Sequence, residues 1–423
     1  MTLIQIIGGG IAGTAAALAL HKAGFGVAVH EAHPDTGEDI GAFLTLASNG
    51  MRALAAVDAA EAVAAVGFPV TAMSVLDASG AELATAPLGE PEHRLTRYRC
   101  LRRAELAAAL RVEAVRRGIT VRHGARLTAV TECAADITAH FADGTSVTGD
   151  LLVGADGTHS AVRAWLDPAG PGPEYAGQRV FYGYSTVTPP SPVPERITMV
   201  RGSATAFGYL VSPTGETCWF ARVTGPAASA EEVAGTSPAQ WREWLRPLLS
   251  PDDTPTARIV ATTDDRLMVT NALQLAPGRR WRGRRAVLIG DAAHAASPAT
   301  GQGASMALED AVVLAKALRD APGPAEALAR YEHVRRPRTE QNIATSARLT
   351  AGPTSAGPRS GHGGPGAEQP GSGRPVAGRP DGPGAAGAGG GPRVDEELLR
   401  LLAWDTPLPE GRGADRGAGP TAG

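Results

Sequence analysis

Lysine is nearly missing from this 423-residue chain, with Lys22 and Lys316 alone among 40 basic residues. Arginine, alanine, glycine and proline dominate instead, the usage a GC-rich coding sequence produces. Net charge is small as well, -3, which removes any electrostatic case for nucleic acid. Cysteine is scarce: Cys100, Cys133 and Cys218 are scattered, odd in number and without CxxC spacing, against both a disulfide framework and a zinc site. The ten histidines show no paired ligand spacing, so no metal is expected. There is no Gly-x-Ser-x-Gly elbow for a nucleophilic serine. No apolar run approaches roughly 20 residues, so nothing is expected to span a membrane. A strand begins within two residues of the start, leaving no room for a signal peptide, and a cytoplasmic location is the default expectation.

What is present begins with length, enough for two or three lobes around a large core. The 43% hydrophobic and 20% charged residues read as globular. LIQIIGGGIAGTAAALALHKAG then opens with an apolar run (Leu3 to Ile7) of the length and β-branched content of a buried strand. Gly8-x-Gly10-x-x-Gly13 and an alanine-rich helix follow at once. Gly8 permits the tight turn, Gly10 lets a pyrophosphate approach the backbone, and Gly13 lets the helix pack close to the strand. The helix start offers N–H groups and partial positive charge to phosphate. A second strand, Val27 to His30, leads into Glu31 at the spacing where an acidic residue meets a ribose hydroxyl; the alternative is a solvated strand end. This fingerprint fits FAD and NAD alike.

Later stretches repeat the strand-to-helix theme. YRCLRRAELAAALRVEAVRRG predicts a helix with Arg103 at its start, able to reach a phosphate or flavin edge or to serve as one more surface charge. DLLVGADGTHSAVRAWL predicts a strand over Asp150 to Val153, a turn at Asp156-Gly157 and a helix capped by Ser160; Asp-Gly is also an ordinary turn pair. AVLIGDAAHAASPATGQGASMALEDAVVLAKAL (Ala286 to Leu318) is more informative. Its strand ends in Gly290-Asp291, and about a dozen mostly small and polar residues pass before a helix starts near Gly303, well above the usual connection. Such a connection is holding something. His294 within it is expected to be structural, and MALEDAVVLAKAL to do no more than pack.

In order and spacing, GGGIAGTAAALAL, LLVGADGTHSAVR and VLIGDAAHAASPATGQGASMALEDA resemble the signatures of the single-component FAD-dependent aromatic hydroxylases, the group A flavoprotein monooxygenases typified by para-hydroxybenzoate hydroxylase. The resemblance spans about residues 3 to 345, with lesser echoes in YAGQRVFYGY near Tyr175 and ALARYEHVRRPR near Tyr331. It implies an α/β fold: a Rossmann-like FAD-binding domain over 1–175 with a small β segment interleaved at about 68–100, an antiparallel-sheet substrate domain over 176–275, and a return over 276–351 with the flavin loop and C-terminal helices. It implies that Gly8, Gly10, Ile11, Ala12 and Gly13 hold the FAD pyrophosphate, that Glu31 binds the ribose, that Arg103 contacts the cofactor and that Leu127 touches the adenine through its backbone. Asp156 and Gly157 would handle FAD and NADPH, and Asp291 the ribitol or pyrophosphate region. Pro298, Gly301, Gln302, Gly303 and Ala304 would lie beside the isoalloxazine ring. NADPH or NADH would be the co-substrate, and a small aromatic molecule and O2 the reactants. The implied reaction is aromatic hydroxylation through a flavin hydroperoxide, with alkene epoxidation and FAD binding without turnover as alternatives. Gly41-Ala42-Phe43-Leu44 lacks the arginine some relatives carry there, so no NADPH contact is assigned to it.

Between Gly177 and Val223 the runs RVFYGYSTV, ITMVRG, ATAFGYLVS and TCWFARVT alternate as strands of an antiparallel sheet. Tyr184, Phe207, Tyr209, Trp219 and Arg222 are the candidates for a wall suited to a flat substrate, with sheet core as the bland alternative. Tyr182 shares a face with Tyr184, while Trp219 and Arg222 lie on opposite faces of their strand. His93, Tyr184 or Tyr209 would assist in deprotonating a phenol. From Gly352 to about Arg393 the text becomes Gly/Pro-rich and is expected to be disordered, the product of a frameshift or a low-complexity insert. VDEELLRLLAWD (Val394 to Asp405) is expected to dock as a short helix before a loose tail over the last residues to 423.

Overall fold

The computed structural model describes residues 2–34, 42–187, 189, 192–352 and 396–409. The Gly/Pro-rich tract, Gly41 and the tail after Pro409 lie outside the described residues. Five parallel strands form the first sheet, in the order Ala286–Leu288, Leu151–Gly154, Leu3–Ile7, Gly26–His30 and Thr120–Arg122. Leu3–Ile7 sits at its centre and is buried from Ile4 onward, as its unbroken apolar text requires of a strand covered on both faces. The helices Ile11–Lys22 and Gly303–Asp320 pack on each other against this sheet.

Register is what positions the site. Ile7 lies opposite both Gly154 and His30, and Gly154 lies opposite Leu288. The four strands therefore end along one line, and the Gly8 turn, the Asp156 turn, the Gly290-Asp291 turn and Glu31 emerge side by side at the carboxyl edge. Open α/β sheets bind ligands at this edge.

The second large sheet has seven strands, ordered Met268–Gln274, Glu174–Ser185, Thr217–Thr224, Ala206–Val211, Arg196–Arg201, Ala72–Asp77 and Glu82–Pro87. The interleaved β segment expected at about 68–100 supplies Ala72–Asp77 and Glu82–Pro87, which extend this sheet. Ala72–Asp77 pairs parallel to Arg196–Arg201, the one departure from antiparallel pairing, since the chain arrives there from the first unit and not through a hairpin. One face of the sheet packs Phe181, Phe207 and Trp219 on Trp241, Leu245 and Leu249 of the helix Pro238–Leu249. The other face looks toward the strands Phe43–Leu46 and Arg99–Arg102. Leu127 begins the strand Leu127–Glu132 of a smaller antiparallel sheet and packs half-buried on the main core. The long helix Pro324–Ala351 and the short helix Glu396–Leu402 complete the chain. No described helix is long and apolar enough to cross a membrane.

Candidate active site

The glycines of the first turn divide by what surrounds them. Gly8 has φ +102°, and a methyl on it would fall 2.4 Å from the Ala155 carbonyl oxygen, while one on Gly13 would fall 1.9 Å from the Gly8 carbonyl oxygen. These two let the turn, the helix and the neighbouring strand close on one another. A methyl on Gly10 would meet nothing within 4 Å, so the helix Ile11–Lys22 starts at open space with Ile11 and Ala12 in its first turn. The Gly9 N–H donates to Glu31 Oε2 at 2.6 Å, and His33 donates from its N–H to Glu31 Oε1 at 2.9 Å. These hydrogen bonds hold the carboxyl below its ordinary pKa even though burial alone would raise it. Glu31 is therefore an ionised carboxylate fixed beside the turn.

Asp156 faces its own helix. It accepts from Ser160 Oγ, the Ala161 N–H (2.7 Å) and the Val162 N–H (3.1 Å), and burial raises its pKa. Ser160 Oγ accepts from the Arg163 N–H, the cap expected from the sequence. Gly157 follows with φ +76° and open space at its Cβ position.

The long connection after Gly290 is anchored at both ends by buried charge. Gly290 (φ +59°) has room for nothing larger, since a methyl there would lie 2.9 Å from the Ala12 Cβ. Its N–H donates to Asp310 Oδ2 at 2.8 Å, and the same oxygen pairs with His294 Nε2 at 2.5 Å. Arg335 joins Asp310 Oδ1 (2.7 Å) to Glu309 Oε2 (2.6 Å), and all three side chains are fully buried. Burial alone would raise Asp310, but His294, the Arg335 guanidinium and the Gly290 N–H hold it down at about 2. Asn49 donates to Glu309 Oε1 (2.6 Å) and to Gln302 Oε1 (3.1 Å), tying the cluster to the residue that precedes the helix Gly303–Asp320. Ser297 Oγ bonds Thr350 Oγ1 (2.6 Å), and Thr300 Oγ1 reaches Asn342 and Ser346 (both 2.9 Å). Pro298, Gly301 and Gly303 are left exposed and Ala304 half-exposed. Asp291 points at this helix start, 3.9 Å from where a Gly303 methyl would be. His294, expected to be structural, is buried and paired within this cluster. The helix text after Ala304 does more than pack, because its Glu-Asp pair carries the cluster; apolar spacing gives no sign of charges that are buried in pairs.

The sheet candidates separate by face. Tyr182, Phe220 and Arg222 share the face toward Phe43–Leu46, where Phe43 meets Tyr182 edge-on at 6.3 Å and Phe220 at 6.3 Å. Arg222 Nε and Nη1 are buried and have no hydrogen-bond partner among the described residues. Burial raises the Tyr182 hydroxyl above its ordinary pKa, and Arg222 and Arg103 lessen that rise without cancelling it. The Arg103 side chain is exposed, and its N–H donates to the Ala42 carbonyl at 3.0 Å. Phe207, Tyr209 and Trp219 take the opposite face: Trp219 stacks on Phe207 at 5.4 Å and donates from Nε1 to Thr263 Oγ1 at 2.8 Å. These three are a correction to the candidate wall, since strand alternation sends Phe207 and Trp219 into the core with Trp241 and packs the half-buried Tyr209 against it. Tyr184 is on the near face but is clamped between the guanidinium groups of Arg102 (4.7 Å) and Arg266 (4.9 Å). His93 is exposed in a turn whose backbone it closes. Phe220 and Asn49 were missed, although Phe220 stands two residues from Arg222 and so had to share its face.

The family model for the FAD binding domain matches residues 1–346. This chain belongs to that FAD-binding family. The flavoprotein is 33% identical over 82% of its length to aurachin C monooxygenase/isomerase of Stigmatella aurantiaca, covering 88% of that protein. It is 32% identical to 3-amino-4-hydroxybenzoate 2-monooxygenase of Streptomyces cremeus, covering 82% of this chain and 86% of that one. Its fold matches the structure of Klebsiella pneumoniae HpxO complexed with FAD and uric acid, with TM-score 0.74 and 29% identity over 82% of this chain and 88% of that one. The residues present fit FAD. Open space at Gly10, an ionised Glu31, and a helix start at Gly303 with its first-turn N–H groups free of helical partners form one continuous edge. No group of three or more acidic, histidine or cysteine side chains able to hold a metal occurs among the described residues.

Proposed function

We propose that this flavoprotein hydroxylates a planar aromatic small molecule that carries an anionic or hydrogen-bond-accepting group, with NADPH or NADH as electron donor and O2 as oxygen donor. The observation that carries the proposal is Arg222, a guanidinium with two buried unpartnered nitrogens in an otherwise aromatic wall of Tyr182, Phe220 and Phe43. Leaving such donors unpaired is costly, and a substrate oxygen in that cleft removes the cost. Two relatives are named for a hydroxybenzoate and for urate, ring compounds with such oxygens.

Bound FAD supplies the redox chemistry and the activation of oxygen. The chain's residues bind, orient and exclude water. Gly8, Gly10 and Gly13 with Ile11 and Ala12 take the pyrophosphate at the helix start, and Glu31 accepts from the ribose. Leu127 and Arg103 reach the adenine and the cofactor edge, and Gly157 leaves room for the cofactor beside the turn that Asp156 caps. Asp291 accepts from the ribitol region. Pro298, Gly301, Gln302, Gly303 and Ala304 lie along the ring, and the N-terminal dipole of Gly303–Asp320 favours negative charge on it. Tyr182 Oη keeps its proton at neutral pH and donates to a substrate oxygen, while Arg222 fixes the ring's orientation.

The test is ligand-stimulated turnover. Hydroxybenzoates and their carboxyl-free phenols are compared for NADPH oxidation and for gain of one oxygen in the product. Acidic or oxo-bearing rings should be turned over and Arg222→Gln should raise their KM. Equal turnover of rings with and without the acceptor, unchanged in Arg222→Gln, would refute the assigned role.

A further inference from the structure

The chain's two lysines both face one segment. Lys316, fully buried on the helix Gly303–Asp320, donates from Nζ to the carbonyls of Leu401 (2.7 Å), Ala403 (2.6 Å) and Arg400 (3.3 Å). Lys22 lies 5.0 Å from the Trp404 ring centroid, and Arg319 lies 5.2 Å from it while donating to the Trp404 carbonyl at 2.7 Å. The Leu408 N–H donates to Asp320 Oδ2 (3.2 Å), and Arg330 donates to the Pro409 carbonyl (2.9 Å). Leu398, Leu401, Leu402 and Leu408 are buried in the main core. Cations thus meet the negative end of the short helix Glu396–Leu402, whose last carbonyls have no helical partner. A compact ammonium with three rotatable donors suits three converging carbonyls as a planar guanidinium does not.

We propose that residues 396–409 form an exchangeable clamp, an amphipathic segment that binds its cleft as a separate ligand would and whose seating keeps FAD in place. Two features join the cleft to the cofactor. The segment packs on the helix Gly303–Asp320, whose other end begins beside the cofactor edge, and on the helix Ser48–Ala56, whose Asn49 holds Gln302. The segment is joined to the rest of the chain through the Gly/Pro-rich sequence after Gly352, and a covalent connection supplies an effective concentration. Cutting that connection removes only the effective concentration. The clamp then obeys mass action.

The full chain is expressed with one protease site placed within residues 360–380, folded with FAD, and cut. The fragment should co-elute with the body at high concentration and leave on dilution to about micromolar levels or below. Fluorescence of released FAD should rise in step with that loss. A synthetic peptide of residues 394–410 should restore FAD retention saturably, and a scrambled peptide should not. Lys316→Met should weaken the fragment about ten-fold or more in the cut protein and have a much smaller effect in the uncut chain, where effective concentration masks it. Four results would overturn the proposal: a fragment that never leaves, a body that precipitates on cutting, a fragment that leaves without loosening FAD, and failure of the peptide to restore binding.

Discussion

Gly10 and Gly13 stand three residues apart in one turn, and replacing each with alanine should give opposite failures. At Gly13 the new methyl would lie 1.9 Å from the Gly8 carbonyl oxygen and 3.2 Å from the Ala155 Cβ. The first partner is backbone, which cannot swing away, so Gly13→Ala should cost about 3 kcal/mol or more of stability with or without cofactor. At Gly10 the backbone is extended (φ -74°, ψ -165°) and the methyl would meet nothing within 4 Å. Apo-protein stability should change by only about 0.5–1 kcal/mol, the difference between glycine and alanine at a helix N-cap. In the proposed placement the FAD pyrophosphate uses that open space, and overlap of the methyl with it should cost about 1–3 kcal/mol, a loss of affinity of roughly 5- to 150-fold. Urea unfolding of the apo-protein and titration of FAD fluorescence measure the two quantities separately. Wild-type FAD affinity in Gly10→Ala would refute the placement of the pyrophosphate at this turn.

Other outcomes follow from the same geometry. Arg335→Met removes the fully buried cation shared by Glu309 and Asp310, leaving only Arg338 on the one and His294 on the other, and should destabilise the protein by about 3 kcal/mol in urea unfolding; a change below about 1 kcal/mol would show that the cluster is not holding the fold. Arg222→Gln should leave FAD affinity unchanged and raise the substrate KM by about 10- to 100-fold, the worth of a charged hydrogen bond. Burial, aided by Arg122, lowers His30 from 6.5 to about 4, so the folded protein keeps the ring neutral while the unfolded chain takes a proton below 6.5. Stability should therefore fall as pH drops from about 6.5 toward 4, by on the order of 2 kcal/mol after allowance for solvent at the strand end. His30→Gln should flatten that limb of the urea midpoint against pH.

The parts of the fold with a local signature were readable in advance. Leu3–Ile7, the glycine turn, the Ser160 cap and the helix start at Gly303 each depend on a few adjacent residues, and the structure has them within a residue of their expected places. What was not readable depends on pairing across the chain. Trp219 and Arg222 were known to face opposite ways, but which face was the cleft is set by the helix Pro238–Leu249 covering the far side. The burial of Glu309 and Asp310 depends on Arg335, 25 residues further on. That Ala72–Asp77 of the interleaved segment joins the large sheet is not legible locally, because its partner strand begins at Arg196. Alternation alone therefore leaves Phe207, Tyr209 and Trp219 as candidates for the cleft and gives no reason to prefer Phe220.

Labelled oxygen tests most directly whether the FAD-loaded protein inserts oxygen into an aromatic ring. Purified protein should be yellow, oxidise NADPH or NADH slowly alone and faster with a suitable acidic aromatic, and yield a product carrying one atom of oxygen-18 from labelled O2. A protein that binds no FAD, or one whose product takes its oxygen from water, would contradict that insertion.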